Sequence, residues 1–352
     1  MKHYFVLTGF LIGLMVGVVL VGREMVVAYE NSINAEIEAK LLEAKALEKE
    51  MQKRDAEFKS VSIILTGDMM LSRAVGKKME NLGDFSFPFL KISDFLNSAD
   101  LVFGNLETPI SDGGKNQGSI YSFRSDPRVV EGLSFSNFGV LSLANNHIWD
   151  YGKEALLDTL KTLKENNISP VGVGENFEAA NALVIKEVKN AKIGFLAFTD
   201  LYPSSLGAGN NYPGISNFNL DRIIKHISDI RISRAVDLLF VSLHWGEEYK
   251  EVPSAKQKEI AKKLIDAGAD VIIGHHPHVV QEFEEYKNGL IFYSLGNFIF
   301  DQNFSEETMS GYLVKIDIFD KAIIGWKVFE TKINDDFQVE LGGFVSGQER
   351  VN

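Results

Sequence analysis

Five apolar runs in this chain each end in a short polar cluster, and that repetition restricts the fold more than any other feature. Val61–Leu65 leads into Thr66-Gly67-Asp68, Leu101–Phe103 into Gly104-Asn105-Leu106-Glu107, and Val140–Leu143 into Asn145-Asn146-His147. Leu238–Val241 leads into Ser242-Leu243-His244-Trp245-Gly246, and Val271–Ile273 into Gly274-His275-His276-Pro277-His278. Short apolar runs bounded by turn residues read as strands buried on both faces. Each cluster then lies just past the carboxyl end of a strand, the edge at which open α/β sheets gather ligand groups. Carboxylate, amide oxygen and imidazole brought to one edge make a metal site the first reading.

At 352 residues the chain holds one large domain or two small ones. Its 45% apolar and 24% charged residues are those of a globular protein and exclude disorder as the main state. A formal net charge of −12 argues against a nucleic-acid partner, because a phosphate backbone demands a basic face. It also makes a metal cation a natural counter-charge. There is no cysteine, so a disulfide framework, a thiolate metal site and a cysteine nucleophile are all excluded.

From Tyr4 to Gly22 no residue is charged, and Leu, Val, Ile and Phe dominate. As a helix such a run spans a hydrocarbon core of about 30 Å. Lys2 before it and Arg23 after it leave little positive-inside bias. A transmembrane signal-anchor over 1–23 is the favoured reading. The alternative is a signal peptide cleaved near Val26-Val27-Ala28, with Arg23 and Glu24 sitting awkwardly in front of that site. The anchor reading expects a single-pass protein of the cell membrane with its main domain outside the cytoplasm. Residues 24–59 contain no Gly or Pro and are rich in Glu, Ala, Lys and Leu, so they predict a helical spacer. Its stripe Ile33, Ile37, Leu41, Ala44, Leu47 and Met51 is too irregular for a firm coiled coil.

From Ser60 onward strand, loop and helix alternate, which predicts a single α/β domain over 60–352. Helices are expected at Leu71–Asn81, Pro88–Asn97, Lys153–Asn166, Leu220–Ala235 and Ser254–Ala267, the last two capped by Asn219 and Ser254. After His278 a hairpin turning at Lys287-Asn288-Gly289 is expected, then strands at Gly311–Phe319 and Ala322–Thr331.

Taken singly, several candidate ligands have plainer explanations. Gly67-Asp68 is common turn chemistry, the Asn pair before His147 suits a loop, and His244 suits a satisfied core. Glu107 follows a buried strand directly, so a metal or an arginine must neutralise it. Three imidazoles between His275 and His278 have no simple structural reason. Ending successive strands, the clusters point together to a metal centre.

In this order the motifs Gly67-Asp68, Asn105-Leu106-Glu107, Asn145-Asn146-His147 with Asp150 and Gly152, His244-Trp245-Gly246-Glu247-Glu248-Tyr249, Gly274-His275-His276-Pro277-His278-Val279 and Ser294-Leu295-Gly296-Asn297-Phe298 resemble the CapA family of bacterial capsule and poly-γ-glutamate biosynthesis proteins. The likeness runs from about Ser60 to about Phe319. That family is similar in turn to the calcineurin-like metallophosphoesterases, which implies a four-layer αββα sandwich of two mixed sheets between helices.

The resemblance implies a centre of two divalent metals. Asp68 and His278 would hold the first, Asn146, His244 and His276 the second, and Glu107 would bridge them. His147 would act as general acid or as an electrostatic clamp on the leaving oxygen, with Asp150 orienting its ring. Mn, Zn or Fe suits such a donor set better than Mg or Ca. Metallophosphoesterases usually carry a His two residues after the first Asp, and here that position is Met70. Arg124, Gln281 and Asn297 are candidate substrate-binding residues, and Tyr202–Ser216 a candidate loop over the site. Two functions follow. One is a metal-dependent hydrolase acting at a phosphoester or γ-glutamyl bond. The other is a non-catalytic subunit of polymer synthesis or export that holds anionic polyglutamate through its metals, beside synthase subunits.

Overall fold

The computed structural model describes residues 2–349. It divides into two compact units, Met1–Phe58 and Lys59–Asn352. The first belongs to α1 (Lys2–Lys59), one helix that passes through Arg23 without a break. It is long and apolar enough to cross a membrane, with a mean hydropathy of 2.1 in its most apolar window. The side chains of Phe10, Met15, Val19 and Met25 along it are exposed.

In the second unit the chain builds half of one sheet, all of another, and then returns to the first. It begins with β1 (Ser60–Met69), β2 (Leu101–Leu106), β3 (Phe138–Ser142) and β4 (Ser169–Val171), all parallel neighbours. A short ladder of β5 (Val173–Gly174) with β8 (Gly214–Ile215) stands apart. Between those two come β6 (Val184–Val188) and β7 (Ala191–Thr199); after them come β9 (Leu238–His244), β10 (Val271–His275), β11 (Phe283–Tyr286) and β12 (Gly289–Phe292). These six make the second sheet in the order β11-β12-β10-β9-β7-β6. The chain then rejoins the first sheet through β13 (Asn297–Ile299), parallel to β1, and the antiparallel β14 (Ser310–Phe319), β15 (Ala322–Ile333) and β16 (Val339–Glu349). The connecting helices are α2 (Arg73–Leu82), α3 (Ser93–Asn97), α4 (Val129–Phe135), α5 (Gly152–Glu165), α6 (Phe177–Ala180), α7 (Leu220–Ser233) and α8 (Ala255–Ala267).

Alternation along the second sheet shows why its strands carry no polar face. Ile193, Phe195 and Ala197 of β7 enter a core shared with the first sheet, whereas Leu196 and Phe198 enter a second core with α7 and α8. Phe240 and Ile273 point to the first core; Leu239, Val241 and Ile272 point to the second. Phe103 of β2 stacks on Phe195 of β7 with ring centroids 5.5 Å apart, which marks the plane where the two sheets meet. The result is the expected α/β sandwich of two mixed sheets.

Local signals were obeyed where they were strong. Asn219 Oδ1 accepts the Arg222 N–H at 3.0 Å, and Ser254 forms a capping box with Gln257. The helix expected at Pro88–Asn97 is instead a 3-10 turn at Phe87–Phe89 followed by α3, because Phe89, Leu90 and Ile92 donate to carbonyls three residues back. The hairpin turns at Lys287-Asn288, with Lys287 at φ 54° and Gly289 already in β12.

Two glycines let strand ends pack against the segment Tyr293–Gly296 that crosses from the second sheet to the first. A Cβ on Gly67 would lie 2.1 Å from the Gly296 carbonyl oxygen, and one on Gly274 would lie 1.9 Å from that of Tyr293. These approaches set Asp68 and His275 at their strand ends. We expect Gly67→Ala to lower stability by about 2 kcal/mol or more and to weaken metal binding as well. Denaturant unfolding of the variant checks this; a midpoint equal to the parent's contradicts it.

Candidate metal centre

Asp68 sits at the end of β1 and Glu107 one residue past β2, and both side chains are fully buried. Register places them side by side, since Asp68 pairs with Asn105 across the parallel ladder. Asn105 donates its amide to Asp68 Oδ1 at 2.9 Å and to Glu107 Oε2 at 3.4 Å, and its oxygen accepts from Asn145 at 3.1 Å. Asn145 in turn receives the His147 and Ile148 N–H groups. Neither Asn105 nor Asn145 was assigned a role from sequence, yet together they hold the polar floor of the site. A burial this complete for two amides was the missing signal, and only the structure supplies it.

The second sheet contributes the imidazoles. His244 ends β9 and His275 ends β10, in register with one another. His244 Nε2 lies 2.8 Å from Asn146 Oδ1, two ligand-type atoms facing each other. The His276 N–H donates to Asp68 Oδ2 at 3.0 Å and so ties the two sheets at the site. His276 and His278 stand at φ 97° and 58°, in the left-handed region that non-glycine residues seldom occupy. Such strain costs on the order of 1–3 kcal/mol per residue and persists where the surroundings impose it, most often at functional sites. His278 Nδ1 lies 3.0 Å from Asn297 Oδ1; because Asn297 donates its nitrogen to Gln302 and Thr308, its oxygen must accept from the ring. That leaves His278 Nε2 free, 3.7 Å from Glu107 Oε1.

Glu107 Oε1 is the centre of the cluster. It lies 3.9 Å from His147 Nε2 and 3.9 Å from His244 Nε2, and no hydrogen bond satisfies it. His276 Nδ1 and both nitrogens of His275 are also buried without a hydrogen bond. His275 Nδ1 stands 3.0 Å from Asp68 Oδ1, but misaligned for donation. Ligand atoms of Glu107, His276 and His278 lie within 4.8 Å of one another, and so do those of Asp68, Glu107 and His244. Glu107 belongs to both groups, as a bridging residue must. The grouping differs from the expected one in pairing His276 with His278 rather than with His244, although the His244 and His276 rings are only 4.9 Å apart.

The electrostatics of these residues favour a cation. Burial, then the neighbouring carboxylates of Asp68, Glu248 and Asp150, push the Glu107 carboxyl well above its ordinary range. Burial would raise Asp68 too, but the close His275 ring, the charge of His278 and the Asn105 hydrogen bond bring it below the usual value. Burial and mutual repulsion hold His244 well below an ordinary imidazole, and His276 down to about 3. Burial also lowers His278, against the pull of Asp68. Neutral imidazoles, ionisable carboxylates and orphaned donor atoms are the state a divalent metal binds. The residues present fit such a group.

His147 stands beside this cluster. Its Nδ1 lies 2.7 Å from Asp150 Oδ2, which also accepts the Phe123 N–H at 2.8 Å. Since a carboxylate only accepts, His147 Nδ1 carries the proton and Nε2 faces the centre. His147 and His278 line a cavity of about 270 Å³ together with Arg73, Tyr121, Phe123, Glu248, Tyr249, Phe300, Asp301, Gln302, Asn303 and Phe304. Larger clefts, such as one of about 570 Å³ along α5, hold none of the clustered ligands.

Three expectations from sequence are corrected here. Arg124 does not reach the cavity: its guanidinium donates to the Gly113 carbonyl at 2.9 Å and lies over Tyr151. The arginine at the cavity is Arg73, which the sequence showed only as the start of a helix. Gln281 is also elsewhere, its buried amide bonded to the Lys250 carbonyl and to Gln257. The loop Tyr202–Ser216 does not line the cavity; Tyr202 instead accepts the Trp149 N–H from beneath. Asn297 is in the site, but as the partner that orients His278. Met70 is fully buried, and its sulfur accepts the Ser72 hydroxyl at 2.9 Å.

Residues 62–302 match the model of the bacterial capsule synthesis protein family PGA_cap. The chain belongs to that family. It is 38% identical over 273 residues to the capsule biosynthesis protein CapA of Bacillus anthracis, covering 76% of this chain and 66% of the relative. It is 35% identical over 248 residues to the PGA biosynthesis protein CapA of Bacillus subtilis, covering 70% and 64%. The PGA_cap chain thus spans just under two thirds of the length of those relatives. Among solved structures it is similar to the Haemophilus influenzae NAD nucleotidase, at TM-score 0.44 and 14% identity over 83% of this chain and 56% of that one. The protein TT1561 of Thermus thermophilus matches at TM-score 0.43 and 9% identity, over 80% and 98%.

A raised acid has a definite pH signature. In metal-free protein an ionised Glu107 destabilises the fold, so the contribution of Glu107 to stability falls as pH rises above about 4.5 toward the folded value. The slope is up to about 1.4 kcal/mol per pH unit. Glu107→Gln cannot ionise. The metal-free variant should therefore melt higher than the metal-free parent, by a margin that widens with pH, yet gain nothing from Mn. A margin independent of pH contradicts the placement of Glu107.

Proposed function

We propose that this PGA_cap protein is a membrane-anchored, extracytoplasmic component of capsule or poly-γ-glutamate synthesis or export whose domain is a metal-dependent hydrolase acting at a phosphoester or γ-glutamyl bond. The observation that carries the reading is Glu107 Oε1, buried without a hydrogen bond among His147, His244 and His278. Relatives named for capsule and PGA biosynthesis supply the biological setting. The apolar helix supplies the anchor, and synthase subunits of the same membrane are the expected partners.

Asp68, Glu107, Asn146, His244, His276 and His278 would hold two divalent metals, with Mn, Zn or Fe preferred by the mix of nitrogen and oxygen donors. When bound, such ions polarise an ester or amide oxygen and acidify water near neutral pH. The protein's own groups do the rest. The Phe123 N–H holds Asp150, which fixes the His147 ring through Nδ1–H. As the imidazolium, His147 also carries a proton on Nε2, facing the cavity, to give to the departing oxygen or nitrogen. Asn297 fixes His278 in the tautomer that leaves Nε2 toward Glu107. Phe123, its ring centroid 4.0 Å from that of His147, shields the imidazole from bulk water.

Met70 supports a second reading. Its sulfur is engaged with Ser72 where related enzymes place an imidazole, so the domain would hold anionic polymer without cleaving it.

Glu107→Ala and His276→Ala should lose bound metal while keeping the circular dichroism of the parent; unchanged metal content in either rules out the ligand set. His147→Ala should keep its metal and lose about 10²–10⁴-fold in turnover of phosphodiester or γ-glutamyl substrates. A variant as active as the parent removes His147 from the chemistry. A metal-loaded parent without turnover on any of these substrates selects the polymer-holding reading.

A further inference from the structure

We propose that Arg73 recognises an oxyanion of the substrate, a carboxylate or phosphate group next to the bond held at the metal centre. The inference rests on the substrate-handling reading above, whether or not the bond is cleaved. Arg73 is the first residue of α2 and lines the same cavity as His147 and His278. Its backbone is held at φ 53°, a strained conformation for arginine. The restraint comes from Asp301. One oxygen of that nearly buried carboxylate accepts the Ala74 N–H at 3.2 Å, and the other lies 3.2 Å from Arg73 Nη2. Asp301 therefore caps the helix start and aims the guanidinium with the same side chain.

The guanidinium is aimed at the reactive end of the cavity. Its carbon lies 5.4 Å from the centroid of Phe123, the ring that also packs against His147. Arg73 and the proposed acid are thus neighbours of one aromatic side chain. The Asp301 contact occupies one edge of a group with five N–H donors, and the Arg73 side chain is still 41% exposed. The remaining fork matches a planar oxyanion in two-point contact, which a lysine cannot reproduce. Tyr121, Tyr249, Phe300 and Phe304 supply apolar walls around it, so a charged group carried on an aliphatic stem suits the cavity better than a bare ion.

The test uses the full chain in detergent, loaded with Mn, and measures binding by calorimetry without requiring turnover. The probes are a γ-linked glutamate oligomer, the same oligomer with its α-carboxylates amidated, and inorganic phosphate. The parent should prefer the acid oligomer to the amidated one. Arg73→Gln should lose tenfold or more in affinity for the acid oligomer and none for the amidated form, and Arg73→Lys should recover only part. Asp301→Asn, which keeps the guanidinium but loosens its aim, should lose less than Arg73→Gln, and thermal unfolding confirms that each variant is folded. A loss confined to phosphate assigns the oxyanion as phosphate. An Arg73→Gln protein that keeps both the parent's preference for the acid oligomer and its phosphate affinity overturns the proposal, as does a parent that binds none of the probes. A parent that binds but hydrolyses nothing contradicts the hydrolase reading alone and leaves the role of Arg73 standing.

Discussion

A carboxylate buried beyond the reach of water is the constraint on which the rest of this structure depends. Glu107 cannot stay ionised among apolar strands unless a cation stands beside it. Its ion-pair neighbours among the described residues are histidines, and burial lowers two of them, His244 and His278, toward the neutral form. Asp68 already engages both oxygens, with Asn105 and the His276 N–H. Glu107 is thus left without a settled cation beside it, a demand that a divalent metal would meet.

The fold tolerates this because the cost is spread over two sheets. Parallel strands end together, which brings Asp68, Glu107 and the Asn145–His147 turn to one edge and His244 and His275 to the facing edge. Gly67 and Gly274 let the crossover segment Tyr293–Gly296 pack closely on both strand ends, and the His276 N–H bond to Asp68 ties the two edges. The interdigitated core beneath, with Phe103 stacked on Phe195, holds the two sheets at the separation the cluster needs. That packed core is what allows the histidine backbones at 276 and 278 to remain strained locally.

Much of this was legible in the residue order. Apolar runs closed by polar clusters located β1, β2, β3, β9 and β10 together with the groups at their ends. Asn219 and Ser254 marked helix starts that the backbone confirms. What escaped had no local mark. β7 ends in Thr199 rather than in a ligand, so no polar cluster announced that strand, and glycines interrupt the strand pattern of β16. Arg124 looked suited to an anion and Arg73 looked like a helix residue. Only the long-range contacts from Asp301 to Arg73 and from Arg124 to Gly113 separate them. The roles of Asn105, Asn145 and His275 also depend on packing between strands far apart in the chain, which periodicity cannot express.

The geometry of the site supports one central proposal: a divalent cation would be held against Glu107. Anomalous diffraction from crystals of Mn-loaded protein tests it most directly. The account predicts an anomalous peak within coordination distance of Glu107 Oε1, with a further ligand from His244, His276 or His278. Crystals with full Mn access and no peak at Glu107, or a peak held only by surface carboxylates, would contradict it.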